Sequence, residues 1–161
     1  MIRMTKQTDY GIILMTQLAT EPERVFKAPE LASESRLPLP MVSKILKLLA
    51  RHGLLASHRG VKGGYGLARQ PEGITVAEII NALEGSVALT VCIEDSPGEC
   101  ERETFCAVHG NWQRINEAVR QALAGITLAE MSQPLSAGLV QLGVGRAWRR
   151  AGMSVPVPPA L

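Results

Sequence analysis

Apolar positions recur at helical spacing through the first third of the chain. After Thr5 or Thr8, either of which can cap a helix, Tyr10, Ile13, Leu14 and Leu18 share one face, and the pattern stops at Glu21-Pro22. Pro29 suits the first turn of a short second helix with Leu31 and Ala32 apolar, ending near Ser33-Glu34-Ser35. The turn Arg36-Leu37-Pro38-Leu39-Pro40 follows. Pro40 can open a third helix because its missing N–H would have no partner there. Val42, Ile45, Leu46 and Leu49 then form a single stripe ending at Gly53, and Lys44, Lys47 and Arg51 fall on the opposite face.

Two short helices joined by a tight turn, the second with a basic outward face, have the layout of a helix-turn-helix, although one basic face alone also describes an ordinary solvated helix. The next residues add weight to the first reading. Leu54-Leu55-Ala56-Ser57-His58 reads as a strand, Arg59-Gly60-Val61-Lys62-Gly63-Gly64 as a glycine-rich basic turn, and Tyr65-Gly66-Leu67-Ala68 as the returning strand. This is a hairpin wing with Arg59 and Lys62 at its tip, suited to phosphates and to a narrow minor groove. The alternative, a nucleotide phosphate loop, lacks the G-x-x-x-x-G-K-[ST] order and has no long helix directly after it.

Thr75 is placed to cap a further helix through Leu83, with Ile79, Ile80 and Leu83 apolar and Gly85 as the stop. From Ser86 to Thr104 the pattern is irregular. Helical order returns near Phe105, where Trp112, Ile115, Val119, Ala122 and Ile126 make a heptad-like seam. Such a seam either joins two copies of the chain or packs on the chain's own first helix. The expected organisation is a winged helix-turn-helix over residues 1–84, a loop over 85–104, a long C-terminal dimerisation helix with a short following segment over 105–132, and a tail over 133–161 that Pro156, Pro158 and Pro159 keep from being helical. The fold class is mainly α.

Charge sharpens this division. The 161 residues carry a net charge of +2, but residues 1–70 hold eleven Lys and Arg against five acids, whereas residues 71–132 hold three Arg against ten acids. A polyanion would bind the first part and avoid the second. No apolar run approaches a bilayer span and the N-terminus lacks a signal-peptide pattern, so a cytoplasmic protein without a membrane partner is expected. No Ser/His/Asp order, paired-carboxylate motif or dinucleotide fingerprint stands out, and His52 and His58 have no Cys or Asp at ligand spacing. The chain is not expected to be an enzyme.

The three cysteines, Cys92, Cys100 and Cys106, lie within fifteen residues of one another and are followed by His109 at C-x-x-H. An odd, clustered set argues against a disulfide framework and for metal or redox chemistry. Structural zinc favours closer paired spacings, whereas these wide gaps suit a larger cofactor such as an iron–sulphur cluster. A thiol switch is a third possibility, although the acidic surroundings do not favour low-pKa cysteines. His109 is the near candidate for a fourth ligand, or else a polar surface residue. Asp9 is the far candidate, reaching a partner subunit, or else simply favours the start of its helix.

Taken together, Lys6-Gln7-Thr8-Asp9-Tyr10-Gly11, Leu37-Pro38-Leu39-Pro40 with Val42-Ser43-Lys44, Arg59-Gly60-Val61-Lys62-Gly63-Gly64-Tyr65, the cysteine triad and Ile126-Thr127-Leu128-Ala129-Glu130 resemble the Rrf-two family of bacterial winged-helix regulators, and most of all its members that govern iron–sulphur assembly genes. The resemblance covers about Met1 to Ser132. It implies a homodimeric repressor that binds double-stranded operator DNA and holds a [2Fe-2S] cluster in each subunit through Cys92, Cys100 and Cys106. Family members supply the fourth ligand either from the C-x-x-H histidine, here His109, or from an aspartate in the first helix, here Asp9. The first cysteine gap is wider than in the family's assembly repressor. On the same resemblance Ser43, Lys44 and Lys47 would enter the major groove, while Arg59, Lys62 and Gly63 of the wing would meet the minor groove and phosphates.

Overall fold

The computed structural model describes residues 4–60, 63–93 and 105–133. Helix α1 spans Lys6–Thr20, α2 Ala28–Ser35 and α3 Leu39–Arg51. The strands β1, Leu55–His58, and β2, Gly64–Leu67, form an antiparallel hairpin. Helix α4 spans Val76–Glu84, α5 His109–Ala124 and α6 Leu128–Ser132. Of the expected features, the wing tip at Val61 and Lys62, the middle of the cysteine segment with Cys100, and the tail beyond Gln133 lie outside the described residues.

Thr5 caps α1, accepting from the Thr8 amide at 3.3 Å. The buried face of α1 is not quite the expected one. Thr8, Gly11, Leu14, Met15, Leu18 and Ala19 are buried, whereas Ile13 is exposed and Tyr10 half-buried. The shift has a packing cause: at Gly11 a Cβ would lie 2.2 Å from Leu83 Cδ1, so the absent side chain lets α4 lie close against α1.

Helix α3 matches its sequence pattern. Val42, Ile45, Leu46 and Leu49 are fully buried, while Lys44, Lys47 and Arg51 are exposed. With Leu14, Met15, Leu31, Ile74, Ile79 and Leu128 they form one core shared by all the helices except α5.

The wing carries a third, single-residue rung. Phe26, ahead of α2, pairs with Tyr65: its amide donates to the Tyr65 carbonyl at 2.9 Å, and the Tyr65 amide donates back at 2.8 Å. Close backbone approaches, from Phe26 on one side and from the hairpin's own turn on the other, explain the paired glycines. A Cβ on Gly64 would lie 2.3 Å from the Phe26 carbonyl oxygen, and one on Gly63 would lie 2.4 Å from the His58 carbonyl oxygen.

Two T-x-x-E capping boxes sit side by side. Thr75 and Glu78 cap α4, Thr127 and Glu130 cap α6, and the two starts pair as a short bridge through Val76 N–H to the Ile126 carbonyl, 2.9 Å, and Leu128 N–H to the Ile74 carbonyl, 2.8 Å. Helix α5 begins later than the sequence suggests, at His109, because Val108 stands outside helical geometry at its start and offers no capping side chain. It packs mainly on α4 and on the turn Val91–Ile93.

Candidate nucleic-acid interface and cysteine centre

Helix α3 and the hairpin present the basic surface. Lys44, Lys47 and Arg51 stand on the exposed side of α3, Ser43 is half-buried beside them, Arg59 is exposed at the end of β1, and Gly63 is half-buried where the wing turns back. Among the described residues, none of Lys44, Lys47, Arg51 or Arg59 takes part in an ion pair; the pairs present are Arg24–Glu21, Arg24–Glu30 and Arg69–Glu78. The basic face is therefore open to an anion from outside. Two pins hold it in place. Arg24 stacks 4.4 Å from the Phe26 ring and reaches Glu21 and Glu30, fixing the strand that flanks the wing to the start of α2. Burial of the inner face of α3 fixes its rotation, and so which side chains face out.

The cysteine segment leaves α4 at Gly85, whose φ of +91° turns the chain away from the helix. Both ends of the described part are gripped by polar groups. Before the turn, the Glu84 carboxylate accepts from the Thr5 amide at 2.9 Å, the Thr5 hydroxyl at 2.7 Å and the Thr8 hydroxyl, while Gln7 Nε2 donates to the Leu83 carbonyl at 2.8 Å. Partial burial alone would push the Glu84 carboxyl up, but the hydrogen bonds from Thr8 and Thr5 prevail and hold it below the ordinary carboxylate range. Beyond the turn, Asn116 of α5 is 2% exposed. Its Oδ1 accepts from the Leu89 amide at 3.1 Å and its Nδ2 donates to the Val87 carbonyl at 3.0 Å. Sequence reasoning missed Asn116, because an asparagine on a polar helix gives no sign of burial. Its position next to the apolar seam was the only available hint.

Cys92 lies in the turn Val91–Ile93, with its Sγ 3.3 Å from Thr90 Oγ1. Cys106 lies just before α5, its carbonyl accepting from the His109 amide at 3.2 Å, and both thiols are free and half-buried. The Nδ1 of His109 is buried without a hydrogen-bond partner among the described residues. A buried, unpaired imidazole nitrogen is costly unless something binds it. Asp9 stands exposed in the first turn of α1. Among the described residues no three His, Cys, Asp or Glu side chains converge into a metal-binding group. The donor chemistry of Cys92, Cys106 and His109, two thiols and one unsatisfied imidazole nitrogen, nonetheless suits an iron–sulphur cluster or a soft metal.

The seam of α5 is on the surface. Ile115 is 47% exposed and Trp112 38%, with Ala122 also exposed and Phe105 and Val108 uncovered ahead of them. Of the two arrangements the sequence left open, packing on α1 is not the one adopted. Among the described residues no helix is long and apolar enough to cross a membrane.

Three helices, an exposed basic third helix and a two-stranded wing define a winged-helix DNA-binding regulator. Residues 4–134 match the Rrf2 family, described as iron-dependent transcriptional regulators, and the chain belongs to that family. It is therefore a DNA-binding transcriptional regulator and not an enzyme. It is 28% identical over 131 residues to the HTH-type transcriptional regulator IscR of Klebsiella pneumoniae (strain 342), covering 81% of this chain and 79% of that protein. Among solved structures it is similar to CymR, the global cysteine regulator of B. subtilis, with TM-score 0.64, 27% identity and coverage of 82% of this chain and 97% of that one. It is similar also to T. potens IscR, with TM-score 0.62, 29% identity and coverage of 81% and 85%.

Proposed function

We propose that this regulator is a homodimer that represses iron–sulphur assembly genes and senses an iron–sulphur cluster held between its winged head and helix α5. Cys92, Cys100, Cys106 and His109 would hold a [2Fe-2S] cluster, which when bound supplies a group whose presence depends on iron supply and oxidation. The observation that carries this reading is the buried Nδ1 of His109, which has no partner among the described residues and lies three residues after the free thiol Cys106. The match to a family of iron-dependent regulators and the similarity to IscR proteins support it.

The chain's own residues supply the coupling. Asn116 ties the backbone ahead of Cys92 to the middle of α5, and the Thr75–Thr127 bridge ties the far end of α5 to the start of α4. A change in the segment therefore bears on α5, whose exposed seam is the surface for a second copy, and so on the spacing of two heads on DNA. For this to regulate, the cluster must favour one arrangement over the other. Ser43, Lys44 and Lys47 on α3 would read the major groove, with Arg59, Lys62 and Gly63 of the wing on the minor groove and phosphates.

A second reading, in which the same cysteines work as thiols without iron, rests on the free thiols of Cys92 and Cys106. Protein purified without air separates the two. A visible absorption spectrum with iron and acid-labile sulphide in the protein is the expected result. A colourless protein that stays so after anaerobic reconstitution, with reversible disulfides or zinc alone, overturns the cluster reading. His109→Ala is expected to change the cluster spectrum and Asp9→Ala to leave it unchanged; the reverse result assigns the fourth ligand to Asp9 of the partner subunit.

A further inference from the structure

Where α3 meets the wing there is an open notch of about 290 Å³ lined by Lys47, Ala50 and Arg51 of α3, Ser57 of β1 and Tyr65 of β2. We propose that this notch is a seat for one backbone phosphate of bound DNA, set between the groove-reading side of α3 and the hairpin. The inference rests on the DNA binding of the family, moves Lys47 from the base edges to a phosphate, and adds Arg51, Ser57 and Tyr65 to the interface.

The first argument is electrostatic. Lys47 and Arg51 are one helical turn apart, so their charges repel along the helix surface. No acidic side chain lines the notch, and neither cation has an ion-pair partner among the described residues. An intervening anion turns that repulsion into two attractions.

The second argument is the lining. Ser57 and Tyr65 face each other as a cross-strand pair, so two neutral hydroxyl donors flank the two cations. Two charged and two uncharged donors suit the two free oxygens of a phosphodiester.

The third argument is rigidity. Val42, Ile45, Leu46 and Leu49 anchor α3 in the core, and the Phe26–Tyr65 rung holds β2 from its other side. The donors are thus held in place before DNA arrives, as a contact that sets register requires.

The test measures binding of the full-length protein to a mixed-sequence duplex by fluorescence anisotropy across a salt series. Lys47→Gln and Arg51→Gln are each expected to weaken binding and to reduce the magnitude of the log–log salt slope. Because they share one phosphate in each head, the double variant should reduce it by only about 0.9 per head, or about 1.8 for a dimer with both heads on DNA. Tyr65→Phe and Ser57→Ala remove neutral donors and should weaken binding several-fold with the slope unchanged, while Arg114→Gln on α5 should match the parent protein. Reductions of about 0.9 per head from each cation separately, adding in the double variant, would assign them to two phosphates and overturn the shared seat. So would parent-like binding by both Tyr65→Phe and Ser57→Ala. A parent protein that binds no duplex at any salt would count against the underlying DNA interface, which separates that failure from a failure of the seat.

Discussion

The winged head and helix α5 are built on opposite principles. In the head, ten large apolar side chains from Leu14 to Leu128 are fully sealed from water, and polar residues lie at caps and on the outer face. In α5 the one buried residue is an asparagine, while Trp112 and Ile115 face solvent. The head carries its own core; α5 is attached by an amide clamp and a backbone bridge and keeps its apolar side uncovered. Burial of apolar area, the dominant favourable term in folding, is thus concentrated in the part that meets DNA, and the cysteine segment hangs from the part that is held by polar contacts. Elements with little buried apolar surface open most readily, so such a division suits the sensing proposed above.

The difference can be broken most severely from the head. Leu46→Ala opens a cavity in a fully buried site and is expected to cost about 2–5 kcal/mol in a urea titration. A loss well under that range would mean that the core is not where the head's stability lies. Asn116→Leu strands the Leu89 amide and the Val87 carbonyl without partners, an expected cost of about 1–3 kcal/mol. Faster hydrogen exchange at Leu89 with little change at Ile45 would locate the effect in the clamp. Thr75→Ala removes a cap from the shared α4–α6 junction, for about 1 kcal/mol in the same titration.

Acid should act more weakly and in one direction. The Glu78, Glu84 and Glu130 carboxyls are all held below their ordinary range. For Glu78 and Glu84, hydrogen bonds from Arg69 and Thr75 and from Thr8 and Thr5 outweigh the opposing effect of burial, and for Glu130 the amide and hydroxyl of Thr127 lower it. A carboxylate depressed in the folded state adds stability that is present above its unfolded pKa and is lost as pH falls through the folded value. The urea midpoint should therefore drop as pH is lowered through and below the usual carboxylate range, and Glu84→Gln should make that drop shallower. An equally steep drop in Glu84→Gln would remove Glu84 from the effect.

The smallest expected effect on stability is also the sharpest test of the comparison. Ile115→Asp alters an exposed position and should leave the urea midpoint nearly unchanged at a protein concentration low enough for the parent to be monomeric. It should, however, convert a dimer to a monomer in sedimentation. A variant that stays dimeric would place the subunit contact elsewhere.

How much of this was legible in the sequence follows the same division. Helix α3 could be read directly, since Pro40 fixes its start and the stripe Val42, Ile45, Leu46, Leu49 faces a core within the same chain. The wing could be read from its glycines, though not the reason for them, which is the Phe26 carbonyl beside Gly64. On α1 the pattern pointed to Ile13, which is exposed, and passed over Gly11, because a glycine that admits Leu83 looks like a gap in a hydrophobic stripe. On α5 the seam was visible, but whether it is covered depends on atoms outside one chain. Asn116 was invisible because its role depends on backbone groups brought to it from Val87 and Leu89. Of the candidate cysteine centre, the clustering of donors was legible, and the stranded Nδ1 of His109 required the fold.

The bridge between Thr75 and Thr127 bears on how this family can vary. It joins the two ends of everything between α4 and α6, so the intervening stretch is a closed excursion whose closure is secured at its base by the head. Lengthening such a loop adds conformational entropy only logarithmically, about 0.6 kcal/mol for each doubling. On the proposed function, residues can thus be inserted between Cys92 and Cys100 at little thermodynamic cost while the DNA-reading surface stays fixed.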